Sequence, residues 1–213
     1  MKLLLCALIG YVLGMINPSF LLAKIRGFDI RERGSGNAGA SNALLLMGKV
    51  WGVLCAVLDI GKAVLAVWLT GVLFAGEPLA YPIAATACIL GHIFPPYMRF
   101  RGGKGLACLG GIILGYDWRV FLVLLTLAII LAVVGRYICF VPMAFSVLFP
   151  VVYGVLTKSL WGALILLIVA PVIFWKHREN IKRIRAGREV RFSYLWNKKA
   201  ETKRLRHEYP DDP

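Results

Sequence analysis

The chain has 213 residues, of which 59% are hydrophobic and 17% charged, with a mean hydropathy of +0.73. Soluble domains carry about 45–50% apolar and about 25% charged residues, so the composition argues against a water-soluble globule and, by its hydrophobicity, against disorder. The five Cys have no paired spacing, which excludes a disulfide framework. The composition points to an all-α, polytopic membrane protein.

A spanning helix needs about 20 mostly apolar residues. In chain order, such runs fall at 3–23, 50–75, 79–98, 119–135, 138–156 and 160–175. The first run lacks a small-residue cleavage site, and a Gly-rich polar loop follows it, so it reads as a span and not as a signal peptide. A shorter apolar run, Leu106–Tyr116, lies between the third and fourth. Basic residues set the orientation. Twenty-one Lys and Arg, 12 of them from Lys176 onward, fall on one face; Lys2, Arg119 and Lys158 fall on the other. This predicts seven transmembrane helices, the N-terminus outside and the C-terminus cytoplasmic. Parity requires the short run to cross. A helix of 11 residues covers only about 16 Å at 1.5 Å per residue, against a hydrocarbon core of about 30 Å. The preceding loop, 101–105, must therefore dip inward, where irregular backbone survives only inside protein or beside a water-filled cavity.

Three polar clusters share the cytoplasmic end of this topology. The first is GSGNAGASN at 34–42. The second is GHIFP at 91–95, followed by FRGGKG at 100–105. The third is HRENI at 177–181, followed by Arg183, Gly187 and Glu189. Glycines let backbone N–H groups approach an anion, and a helix N-terminus adds a favourable dipole. Gly102, Gly103 and Lys104 open the short helix and suggest a phosphate site with Lys104 as point charge. The pattern is not a Walker A loop. Ser35 and Asn37 offer neutral hydrogen bonds. His177 and Asn180, three apart, share a helix face.

Each cluster also has a plain reading. The first two resemble ordinary inter-helix loops, His92 a packed helix histidine, and the third a set of bases at lipid headgroups. Asp59 and Lys62 lie within a span at i, i+3, where they either pair structurally or serve function. Gly10 with Gly14 and Gly111 with Gly115 have a helix-packing spacing. His207 and Asp212 have the H-x4-D spacing of a large acyltransferase class, but they sit in a charged tail with no apolar frame. No metal-ligand spacing is present. The short helix favours function, because independent clusters converge beside it.

Together the clusters resemble the bacterial acyl-phosphate-dependent glycerol-3-phosphate acyltransferases, the PlsY family. Its marks are G-S-G-N-x-G-A-[TS]-N, G-H-x-[FY]-P with F-[KR]-G-G-K-G, and H-R-x-N-I-x-R-[LI]-x-x-G-x-E. All three occur here in order, and residues 58–62 resemble a family D-x-x-K stretch. The resemblance implies transfer of a fatty acyl group from acyl phosphate to the 1-hydroxyl of glycerol 3-phosphate. It implies lysophosphatidic acid and phosphate as products, in phospholipid synthesis at the bacterial cytoplasmic (inner) membrane. It implies no metal or organic cofactor. The partners it implies are glycerol 3-phosphate, acyl phosphate and membrane lipid, with no nucleic acid. Carried over by motif, the catalytic set is Ser35, Lys104, His177 and Asn180. The substrate-binding set is Gly36, Asn37, Asn42, His92, Arg101, Gly102, Gly103, Arg178 and Glu189. Residues 1–192 form the membrane acyltransferase domain, and 193–213 a basic cytoplasmic tail outside the resemblance.

Two positions depart from the family pattern. Leu45 stands where an arginine is usual, and Cys139 where a serine is usual. Each lost group suits phosphate binding, and losing a charge-assisted hydrogen bond costs about 1.5–3 kcal/mol. Two alternatives follow: a paralogue acylating a different acceptor, or a non-catalytic organophosphate-binding or transport protein.

Overall fold

The computed structural model describes residues 1–197, 199–202 and 204. Among the described residues the chain forms no strand; its helices are α1 Lys2–Met15, α2 Pro18–Ile25, α3 Ala40–Met47, α4 Lys49–Leu73, α5 Ala80–Ile93, α6 Leu106–Tyr116, α7 Trp118–Val134, α8 Phe140–Thr157, α9 Leu160–Leu167, α10 Val169–Lys176 and α11 Arg178–Arg185, with residues 199–202 also helical. Three stretches are long and apolar enough to cross a membrane: Lys2–Ile25, Lys49–Leu73 and Phe140–Thr157. A fourth is added if Leu160–Lys176 and Arg178–Arg185, bent by 42°, count as one. Leu106–Tyr116 and Trp118–Val134 are shorter apolar helices.

Local chemistry explains where the helices depart from the predicted runs. The first run breaks because Pro18 has no N–H to continue it. Asn17 caps the new start, its side chain accepting from the Phe20 N–H at 2.9 Å. The third run stops at Ile93, before Pro95, which caps the 3-10 turn Pro96–Met98. The last run divides at Ile168 into α9 and α10. α3 was hidden in the sequence, because its polar start, Ala40-Ser41-Asn42, reads as loop.

Helices in lipid gain little hydrophobic drive from each other, so close backbone packing matters. Both glycine spacings serve that end. Gly10 and Gly14 of α1 lie against the Ala84 and Cys88 carbonyls of α5, where a methyl would collide. Gly111 of α6 meets Ile60 of α4, and Gly115 meets Val67. The core between α4, α5, α6, α8 and α10 is filled by Ala63, Cys88, Ile89, Cys108, Ile112, Phe149 and Ile173. All five Cys are unpaired and buried, as small apolar fillers. Large apolar side chains cover the outside, among them Leu4, Val50, Val134, Leu160 and Trp161, each at least two-thirds exposed. A water-soluble monomer does not present such a surface.

Outside the helices, the segment after α2 is pinned by Asp29. Its carboxylate grips Arg31 through two bonds of 2.9 and 2.7 Å, and Arg31 donates to the Met98 carbonyl at 2.6 Å. The Arg31 guanidinium holds the Asp29 carboxyl well below the usual carboxylate range. A depressed pKa contributes stability that is present above the unfolded pKa, about 3.9, and is lost as pH falls toward the folded value. Asp29→Asn should therefore lower the Tm in detergent at pH 7, and the gap from wild type should narrow below about pH 4. Thermal melts across pH check this; a gap that is constant with pH contradicts it.

Candidate active site

The first cluster is a loop held in shape by one buried amide. Asn42 Oδ1 accepts from the Ser35 N–H at 2.9 Å, while its Nδ2 donates to the Ile30 and Arg33 carbonyls. Gly34 takes a left-handed φ of 60°, and a side chain there would strike Asn42 Oδ1. The loop so formed exposes Ser35 and Gly36 and leaves Asn37 half-buried. Asn42 itself is fully buried, with its amide engaged inside the loop. Asn17 Nδ2 ties the far end down through the Ala38 carbonyl at 2.9 Å.

The second cluster folds differently from the phosphate loop pictured from sequence. The Gly102 N–H donates to the Ile93 carbonyl at 3.0 Å, and the Gly103 N–H to the His92 carbonyl at 3.1 Å. These two N–H groups are turned back onto α5 and are not offered to a ligand. The glycines are needed for close approach. A methyl at Gly102 would strike the His92 carbonyl, and one at Gly103 the His92 ring. Gly103 also lies beside the Ala38 carbonyl, which joins the first cluster to the second. Gly105, at φ 91°, turns the chain into α6. The N–H groups without intrahelical partners are those of α6's first turn, beside Lys104. His92 is 3% exposed and lies beneath this loop. Arg101 is exposed at the rim.

The third cluster meets the second through Lys104. Lys104 Nζ donates to Asn180 Oδ1. Asn180 Nδ2 donates to Glu189 Oε1 at 2.6 Å, and Arg183 Nε to Glu189 Oε2 at 2.6 Å. Glu189 thus fixes which way the Asn180 amide points, and so aims its oxygen at the ammonium. His177, just before α11, is buried with Nδ1 2.8 Å from the Ile173 carbonyl. That contact assigns the proton to Nδ1 and leaves Nε2 as an acceptor. Arg178 turns away from the site and lies over the Trp175 ring at 4.4 Å.

Sequence reasoning placed Arg183 in the third cluster but gave it no role; the structure shows it holding Glu189. Sequence reasoning missed the fold-back of the tail. Arg204 donates to the Gly187 and Glu189 carbonyls, and Glu201 accepts from the Arg191 N–H at 2.9 Å. Nothing in a run of mixed charges marks those contacts. Leu45 is half-buried on α3; Cys139 is buried at the start of α8, within electrostatic range of Lys104, Glu189 and Arg183. His207 and Asp212 lie outside the described residues.

The arrangement defines a class: a multi-pass helical membrane protein with a basic, amide-rich candidate site built from two inter-helix loops and the α11 region. Comparison with known proteins places it further. The glycerol-3-phosphate acyltransferase family profile matches residues 4–187. Glycerol-3-phosphate acyltransferase 1 of Deinococcus radiodurans is 37% identical over 188 residues, 88% of this chain and 94% of that one. The enzyme of Symbiobacterium thermophilum is 38% identical over 191 residues, 89% of this chain and 94% of that one. The crystal structure of PlsY, an integral membrane glycerol 3-phosphate acyltransferase, in its glycerol 3-phosphate form superposes with a TM-score of 0.82. It is 29% identical, covering 92% of this chain and 98% of that one. Its lysophosphatidic acid form gives a TM-score of 0.79 at 28% identity, over 92% and 97% of the two chains. The chain belongs to the glycerol-3-phosphate acyltransferase family.

Lys104 carries the only side-chain bond among the described residues that joins the second cluster to the third. Removing a preorganised charge at a reacting centre typically costs two orders of magnitude or more. Lys104→Ala should lower acyl transfer by about a hundredfold or more, with the Tm within a few degrees of wild type. Steady-state turnover beside thermal melts checks this. Near-normal turnover at low substrate would remove Lys104 from the site.

Proposed function

We propose that the protein transfers a fatty acyl group from acyl phosphate to the 1-hydroxyl of glycerol 3-phosphate. The products are lysophosphatidic acid and inorganic phosphate, and the reaction serves phospholipid synthesis at the bacterial inner membrane. The observation that carries this reading is the Lys104–Asn180–Glu189 chain. It sets a cation between two motifs, with the Ser35 loop reached through Ala38 and Gly103. Both substrates bring phosphate, and one brings a lipid-soluble chain. One relative, PlsY, has been solved in glycerol 3-phosphate and lysophosphatidic acid forms.

The chemistry asks little of the protein beyond positioning and charge compensation. The substrate hydroxyl oxygen bonds to the acyl carbon, and the bond from that carbon to phosphate breaks. Phosphate leaves with the electron pair, and a phosphate oxygen takes the hydroxyl proton. Lys104 balances the charge that gathers on the leaving phosphate. Asn180 holds the ammonium in place. Ser35, Gly36 and Asn37 offer the polar edge for the acceptor, and His177 Nε2 accepts a hydrogen bond from it. Arg101 at the rim raises the local anion concentration, while Arg178, laid over Trp175, adds only to the wider positive field of that face. Asn42 and Glu189 act through the groups they hold, and Gly102 and Gly103 by letting their loop lie close. No metal or organic cofactor enters these steps.

The basic-residue asymmetry supports seven crossings with the N-terminus outside and the tail, 193–213, in the cytoplasm, where glycerol 3-phosphate is reached. In this reading α6 crosses with the help of the 101–105 loop, and α1 with α2 and α9 with α10 each make one broken span.

The test is phosphate release from a long-chain acyl phosphate by the purified protein in detergent, with and without glycerol 3-phosphate. Release that depends on the acceptor, with lysophosphatidic acid formed one for one, is the expected result. No release in either arm contradicts the reading. Release driven by another polyol but not by glycerol 3-phosphate would instead select a changed acceptor. Leu45 and Cys139 are the residues that would carry that change.

A further inference from the structure

Three buried titratable groups have no part in the steps above. Asp59 of α4 is 1% exposed, Lys62 7% and His92 of α5 3%. Ionisable groups inside a membrane protein are expensive and tend to be functional. These three touch one another. Lys62 Nζ lies 2.7 Å from Asp59 Oδ1 and 2.9 Å from His92 Nδ1, and His92 Nδ1 lies 3.3 Å from the same Asp59 oxygen. Lys62 also donates to the Ile16 carbonyl at the break between α1 and α2.

The opposite side of the His92 ring points at the site. Its Nε2 and Cε1 occupy the space beside Gly103 that a side chain would need. The same residue's carbonyl takes the Gly103 N–H, and its neighbour Ile93 takes the Gly102 N–H. Lys104 is the next residue. One face of the ring therefore meets two charges, the other meets the loop that ends in Lys104, and the ring cannot shift without disturbing both.

We propose that Asp59 and Lys62 act as positioning residues for Lys104, by locking the His92 ring beneath Gly103. The charge pair fixes the ring, the ring fixes the glycine loop, and the loop fixes where the ammonium meets a substrate phosphate. This rests on the reading of Lys104 as the residue that meets phosphate. A purely structural pair, joining α4 to α5 and α1, would stabilise the fold without governing Lys104.

Two variants separate these roles. His92→Leu removes the ring and leaves the Asp59–Lys62 pair. Asp59→Leu with Lys62→Gln removes both charges and keeps an amide that can donate to the Ile16 carbonyl; neutral replacement of a buried pair is often tolerated. The first measurement is acylation of Lys104 by a water-soluble amine-reactive ester, read by peptide mass spectrometry, with exposed Lys49 and Lys158 as controls. Labelling of Lys104 should rise about threefold or more in both variants as the loop loosens, with the controls unchanged. The second is steady-state kinetics, in which kcat should fall about tenfold or more and KM should change less. Unchanged Lys104 labelling and wild-type kcat, in a variant whose Tm is close to wild type, would overturn the proposal. A wild-type protein inactive toward acyl phosphate would sink the reaction proposed above, and the labelling arm would still decide the positioning role.

Discussion

Backbone polar groups at membrane depth must be satisfied by protein, and in the proposed topology the segment between α5 and α6 is where this chain meets that demand. α6 has only 11 residues, too few to cross alone. The chain before it is irregular, and each unpaired N–H there would cost several kcal/mol in an apolar setting. Folding the Gly102 and Gly103 N–H groups back onto the Ile93 and His92 carbonyls removes that cost. The solution needs glycine at both positions, because the loop lies against backbone on one side and an imidazole on the other. It also delivers Lys104 to the start of a helix, where the dipole favours anions.

The charges follow from that geometry. Lys104 reaches Asn180, whose orientation is set by Glu189, which in turn holds Arg183. A neutral amide faces the ammonium, and among the described residues no carboxylate pairs directly with it, so in the proposed reaction its charge is left for the substrate phosphate. Glu189 sits one bond further back and acts on direction more than on charge. Deeper in the bundle, the Asp59–Lys62 pair lies against His92, and the loop rests on that ring. The tail adds a clamp on the same turn, because Arg204 binds the Glu189 carbonyl.

Much of this was legible in the sequence, for identifiable reasons. Apolar runs and glycine spacings marked the helices and two of their contacts, because close packing demands small residues in register. Charge and parity put the three motifs at one end in the sequence reading, and in the structure the second touches the first at Gly103–Ala38 and the third through Lys104–Asn180. The Asp59–Lys62 pairing was visible as i, i+3 on one helix, although its third member, His92, lies on another helix and was not joined to it. What could not be read was the direction of N–H groups. Glycines beside a lysine suggest an open phosphate loop, yet here they mark close packing. The break at Asn17–Pro18 was written in the residues but masked by the apolar run around it. α3 was masked by its polar first turn. The tail's contacts had no periodic signal at all.

The central claim is that Lys104 and Asn180 act as one unit that joins two distant motifs into a single phosphate site. A double-mutant cycle on glycerol 3-phosphate affinity tests it most directly, with Lys104→Ala, Asn180→Ala and the double variant measured by calorimetry in detergent. If the two groups bind phosphate together, the losses should be strongly non-additive, with a coupling of about 1 kcal/mol or more. Additive losses within about 0.3 kcal/mol would show two independent groups and contradict the account.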